Sequence, residues 1–84
     1  MDWENVQKLY PGQWLVIEAL QAFSDNQLRH IEQLAVLAVC VDGSQALQSY
    51  KNLHRQYPER ELYFIHTSRV NLDIEEHHWA GIRG

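Results

Sequence analysis

The stretch LAVLAVCVDGSQALQSYKNLHRQYP, residues 34–58, decides the fold class. Its first eight residues are apolar without a break, and valine recurs among them. Such a run suits a strand covered on both faces, with a buried helix segment as the alternative. Asp42, Gly43 and Ser44 interrupt it. Beyond them Ala46, Leu47, Tyr50, Leu53, His54 and Tyr57 recur at steps of three and four, which makes one apolar stripe. Gln45, Gln48, Lys51, Asn52 and Arg55 fill the opposite side. The spacing predicts a helix over about 44–57. Ser44 serves as its N-cap, or Asp42 if the helix begins earlier, and Pro58 stops it.

The elements on either side follow from the same reasoning. Downstream, ERELYFIHTS (59–68) reads as a strand, with Leu62, Phe64 and His66 on one face and Glu61, Tyr63 and Ile65 on the other. Upstream, QWLVIEALQAF (13–23) reads as a strand, and a helix over 15–23 is its rival. SDNQLR (24–29) is a polar turn. DWENVQKLY (2–10) is a short helix with Asp2 at its N-terminus, and Pro11-Gly12 ends it. In the tail RVNLDIEEHHWAGIRG, Val70, Leu72 and Ile74 alternate, so 70–84 is an edge strand or a docking arm.

The order helix, strand, strand, helix, strand, arm predicts an α+β fold. Its sheet has three to four strands, mixed or mostly antiparallel. The main helix packs on one face, and a short N-terminal helix precedes the sheet. If the strands on either side of the main helix are sheet neighbours, they run parallel and the sheet is mixed. Residues 1–84 form one small domain.

Composition narrows the function classes. Hydrophobic residues make up 45% of the 84, and charged residues 21%, which is globular composition. A chain this short has a stability of only about 5 kcal/mol and little core to spare for a deep cavity. A site is therefore expected in a surface groove, or completed by a second copy. The net charge of −4 comes from interleaved acids and bases with no basic face, which disfavours nucleic acid as a partner. Cys40 is the only cysteine, so no internal disulfide forms, and a reducing, cytoplasmic location is expected. No run approaches the roughly 20 apolar residues that span a bilayer, and MDWENVQKLYPG lacks the features of a signal peptide.

Five segments bear on chemistry. In IHTSR, His66, Ser68 and Arg69 stand where a strand ends, and strand ends hold functional side chains well. His66 and Ser68 share a face and Thr67 does not. One reading makes His66 a base and Arg69 an anion holder, with Trp14 or Tyr63 beside them. The other makes Thr67 and Ser68 turn residues and His66 a hydrogen-bonded, half-buried ring. In DIEEHHW, His77 and His78 are adjacent and diverge, so no metal site is assigned. Cys40 lies in an apolar run with no basic neighbour and reads as an inert buried thiol. Arg55, Glu59, Arg60 and Glu61 read as solubilising surface charges. At the C-terminus, Trp79 and Arg83 are residue types that dominate interfaces. No catalytic residue and no cofactor is assigned.

Taken together, YPGQWLVIEA, ALQSYKNLH, PERELYFIHTSR and WAGIR resemble a group of small bacterial proteins with a domain of unknown function. The resemblance covers most of the chain and implies a bacterial, cytoplasmic, single-domain protein. It brings no activity. The function expected is a non-enzymatic protein-interaction or assembly module that self-associates or binds another protein. The alternative is a small ligand-binding protein or enzyme with its site around His66–Arg69.

Overall fold

A computed structural model of the chain describes residues 1–75. Six elements follow one another: α1 (Trp3–Leu9), β1 (Trp14–Asp25), β2 (Leu28–Cys40), α2 (Gly43–Gln56), β3 (Leu62–His66) and β4 (Asp73–Glu75). The four strands form one sheet in the order β3-β1-β2-β4, and every pairing in it is antiparallel. Among the described residues no helix is long and apolar enough to cross a membrane.

The expected parallel pairing of the strands around the main helix does not occur. β2 and β3 do run in the same direction, but β1 lies between them. The reason is local. The β1–β2 hairpin forms across a two-residue turn and takes one edge of β1, so the crossover through α2 delivers β3 to the other edge. The fold is α+β, and among the described residues the sheet has no parallel pair. The turn is also tighter than the polar segment 24–29 suggests. Ser24 and Asp25 belong to β1, Leu28 and Arg29 belong to β2, and only Asn26 and Gln27 connect them.

Both connecting residues have positive φ, 49° at Asn26 and 64° at Gln27, as a type I′ hairpin turn requires. Asn tolerates that region, whereas Gln strains there. Gln27→Gly is expected to stabilise the domain by about 0.5 kcal/mol, as relief of strain outweighs the added freedom of the unfolded chain. The check is a higher urea midpoint with an unchanged slope. A lower midpoint would show that Gln27 contributes more than its backbone costs.

β1 and β2 are the two inner strands of the sheet, and β1 is paired along both edges over residues 14–18. Leu15, Val16 and Ile17 are all fully buried although successive side chains point to opposite faces. Each such burial contributes about 1.5–3 kcal/mol. The strand covered on both faces is therefore β1, while the apolar run 34–41 leaves Val39 of β2, and Val41 just beyond it, exposed. On one face Leu15, Ile17, Leu34, Ile65 and Leu72 pack with Trp3 and Val6 of α1. On the other, Val16 packs with Cys40 and with Ala46 of α2, flanked by Trp14, Ala38, Tyr50 and Leu53. The sheet is thus sandwiched between the two helices.

Each helix has the stop signals its sequence carries. Asp2 caps α1 through its Oδ1, which accepts from the Asn5 N–H at 2.9 Å, and Gly12 turns the chain at φ 64°. Asp42, not Ser44, caps α2, accepting from the Gln45 N–H at 2.8 Å. α1 is fastened at its side as well: the Trp3 Nε1–H donates to the Arg69 carbonyl at 3.0 Å, and Gln7 Nε2 donates to the carbonyls of Thr67 and Arg69.

Register shifts leave Leu20 of β1 and Glu32 and Leu37 of β2 without partners. Bulges bend a strand and increase its twist. The sheet curls accordingly. Arg29, near the hairpin tip, reaches Glu61 at the start of β3, and Ile74 of β4 shares a groove with residues of β3.

Candidate functional site

The segment His66–Arg69 is a turn that closes β3. Thr67 is its buried peg, only 4% exposed. Its N–H donates to the Gln13 carbonyl at 3.0 Å and its Oγ1 accepts from the Gln13 N–H at 3.0 Å. Its carbonyl takes the Gln7 amide. The His66 carbonyl accepts from the Arg69 N–H at 3.3 Å, which closes the turn. Thr67 therefore joins β3 to β1 and α1, and it holds no position in a cleft.

His66 and Ser68 are brought together. His66 Nδ1 accepts from the Ser68 N–H at 3.1 Å and lies 2.8 Å from the Ser68 hydroxyl. Because Nδ1 accepts a backbone N–H, its lone pair is occupied in holding the turn. The ring packs edge-on against Trp14, with centroids 5.2 Å apart. Among the described residues no carboxylate touches the ring, so nothing orients it as the base of a nucleophile would be oriented. Arg69 turns its guanidinium to the Asp73 carbonyl at 2.8 Å. The contacts that His66, Ser68 and Arg69 make are thus within the turn and with the backbone that follows it.

The other predicted positions lie in part within the described residues. Cys40 is buried, with its Sγ 3.7 Å from the Ser49 hydroxyl. Asp73 meets His30 at 2.9 Å, and the His30 ring stacks on Phe23 at 4.8 Å. Among the described residues no three of His, Cys, Asp and Glu converge as metal ligands. Trp79 and Arg83, named as interface candidates, lie outside the described residues, as do His77 and His78.

What the pairing of strands assembles is an aromatic row on the α2 side. His66 contacts Trp14, Trp14 contacts Phe64 at 6.5 Å, Phe64 contacts Tyr50 at 5.4 Å, and Tyr50 stacks on His54 at 5.7 Å. These rings come from β1, β3 and α2, and Phe64 stays 37% exposed within the row. Beside it runs a groove of about 300 Å³, lined by Tyr50, Leu62, Tyr63, Phe64, Ile65, Arg69 and Ile74. Four consecutive residues of β3 line it, so it includes both faces of that strand and therefore follows its outer edge.

Comparison with protein-family models, with curated proteins and with solved structures gives no match to this chain. The site must be judged on its own chemistry.

One charged cluster departs from expectation. Glu61, read as a solubilising charge, accepts from Arg29 through both oxygens, at 2.9 and 2.8 Å, and from the Tyr63 hydroxyl at 2.6 Å. The curl of the sheet creates this contact, because Arg29 and Glu61 are remote in sequence. Arg60 is also engaged, lying 4.4 Å over the Tyr57 ring and 3.6 Å from Glu18. The Arg29 hydrogen bond holds the Glu61 carboxyl below its ordinary value of 4.5, aided by Tyr63 and opposed by burial. A carboxylate with a lowered folded pKa adds stability above its unfolded value and loses it as pH falls through the folded value. Both partners are partly exposed, so Arg29→Ala is expected to cost only about 1 kcal/mol near neutrality. The difference between wild type and variant should shrink as pH falls below 4.5. Urea titrations across that window check it. A difference independent of pH would remove Glu61 as the partner that matters.

Sequence reasoning did not single out Phe64, Tyr50 and Tyr63 as a surface. The available signal was the alternation of β3, which puts Leu62, Phe64 and His66 on one face. That Tyr50 lies against Phe64 depends on how α2 crosses the sheet.

Proposed function

We propose that the chain is a non-enzymatic interaction module that self-associates in the cytoplasm, and that its docking surface is the outer edge of β3 with the aromatic row and groove beside it. The observation that carries this reading is Phe64. It is a large aromatic side chain left exposed next to Trp14 and Tyr50, along an edge strand with an apolar groove. Aromatic side chains in such settings contribute most of the affinity of protein interfaces. The histidine, hydroxyl and thiol groups weighed for catalysis are engaged in a turn or buried, which supports an interaction role over chemistry.

Sedimentation velocity of the full chain at micromolar concentration tests the reading, with Phe64→Lys alongside. Wild type is expected to assemble. The variant is expected to be monomeric with an unchanged far-ultraviolet circular dichroism spectrum. A wild-type chain that stays monomeric over the whole range, or a Phe64→Lys variant that assembles equally well, would overturn it.

A further inference from the structure

We infer that the partner is a second copy of this chain, joined edge to edge through β3 across a two-fold axis at Phe64, so that two four-stranded sheets become one antiparallel sheet. This rests on the reading of the β3 edge as the docking surface and adds the partner, the register and the charges that select it.

The register follows from backbone parity. In an antiparallel pair, residues alternate between directing both backbone groups at the neighbour and directing them away. The Thr67 N–H donates to the Gln13 carbonyl, and the Ala19 N–H donates to the Glu61 carbonyl. With Trp14 opposite His66 and Glu18 opposite Leu62, the odd-numbered residues of β3 face β1. Leu62 and Phe64 therefore direct their N–H and C=O groups outward, and His66 its N–H, while the His66 carbonyl already accepts from the Arg69 N–H of the turn. Among the described residues no strand lies beyond β3 in the sheet. Unpaired edge groups are a template for another strand.

A two-fold axis at Phe64 matches these groups with themselves. Phe64 pairs reciprocally with Phe64 of the partner subunit, and Leu62 with the partner's His66. This is the register that uses all three outward-facing residues of each copy. Tyr63 then sits opposite the partner's Ile65, and no like charges oppose each other within the strand. The exposed charges at its ends also agree. Glu59 precedes β3 and Arg69 follows it, and both are exposed. Antiparallel pairing brings Glu59 of each copy toward the partner's Arg69. A parallel arrangement would oppose like charges at both ends.

Two experiments on the full chain test the inference, both with sedimentation velocity alongside. In the first, single cysteines are introduced at Phe64 or Tyr63 and oxidised with diamide, with buried Cys40 left in place. Directly opposed residues of a hydrogen-bonded antiparallel pair have Cα atoms about 5.5 Å apart, within disulfide range. Phe64→Cys is expected to form a disulfide-linked dimer, and Tyr63→Cys, offset across the axis, is not. In the second, Glu59→Arg and Arg69→Glu are each expected to weaken the dimer by about tenfold, since the symmetry repeats each exposed pair. The double swap is expected to restore it.

A monomeric wild type overturns both this inference and the self-association reading. A dimer that ignores the charge swaps and links through Tyr63→Cys, or through neither cysteine, overturns the β3 register and leaves self-association standing. A dimer broken by Val39→Lys, and untouched by every β3 change, would place the interface on the outer edge of β2. A dimer that is lost with Trp79→Ala, but not with the charge reversals, would assign it to the C-terminal segment.

Discussion

Replacing Ile17 with alanine is expected to cost about 4 kcal/mol, most of the stability of a domain this small. Ile17 is fully buried in the part of β1 that is paired along both edges, with Val36 opposite it on β2 and Tyr63 opposite it on β3. Its side chain packs in the cluster that also holds Trp3, Leu15, Leu34 and Ile65. Truncation there removes transfer energy and leaves a cavity that hydrogen-bonded strands on both sides cannot collapse. At about 4–8 °C per kcal/mol, the expected fall in Tm is roughly 15–30 °C. Ile17→Val, which removes a single methylene, should cost only about 1 kcal/mol. Urea denaturation of both variants checks the pair. A loss under about 1 kcal/mol for the alanine variant would mean that β1 is not the centre of the core.

Trp3→Ala is the second large effect, expected at about 3 kcal/mol. Full-size Trp→Ala losses in a core are about 3–5 kcal/mol. The lower end is expected here because α1 is short and can pull away from the sheet. The seven residues of α1 do not hold themselves helical in isolation. Burial of Trp3 and Val6 against the sheet, with the bonds from Trp3 and Gln7 to the turn after β3, keeps the helix in place. The variant should therefore show faster amide exchange throughout α1 while β1 and β2 stay protected. Trp3→Phe keeps most of the apolar contact and loses the indole N–H. The Arg69 carbonyl still accepts from Gln7 at 2.6 Å, so the cost should fall to about 1 kcal/mol. Unchanged exchange in α1 after Trp3→Ala would show that the helix is held by something other than its tryptophan.

Much of the secondary structure was legible because it is written in local chemistry. The Asp2 cap, the Pro11-Gly12 stop and the period of α2 depend on residues a few positions apart, whereas the preferred α2 cap, Ser44, lies inside the helix and the alternative, Asp42, caps it. The alternation of β3 is local in the same sense, whereas of Val70, Leu72 and Ile74 only Ile74 lies in a strand, and Val70 is exposed while Leu72 is buried. Cys40 reads as a buried thiol from its apolar neighbours and is buried, although Val39 and Val41 on either side of it are exposed, so the run alone does not decide it. Asn26 and Gln27 were less legible. A type I′ turn favours glycine at its second position, and Gln27 gives no such signal.

The site was legible only as a place. IHTSR pointed to the end of β3, where Phe64, Arg69 and the groove are found, but it pointed there through a histidine and a serine that hold a turn. The residues that make the surface are distributed over β1, β3 and α2. No spacing in the chain records that Tyr50 meets Phe64, or that Glu61 meets Arg29.

By itself the sequence determined an α+β chain with two helices, two apolar strands on either side of a polar turn and an aromatic strand near its end. Hydrophobic period, capping and turn chemistry act within a few residues, and a single chain displays them directly. The tertiary structure decided that β1 rather than β2 is covered on both faces, that among the described residues the sheet has no parallel pair, and that it curls until Arg29 reaches Glu61. Those outcomes depend on which edge of β1 each neighbour takes and on where bulges bend the strands, and both are settled by packing between residues far apart in the chain.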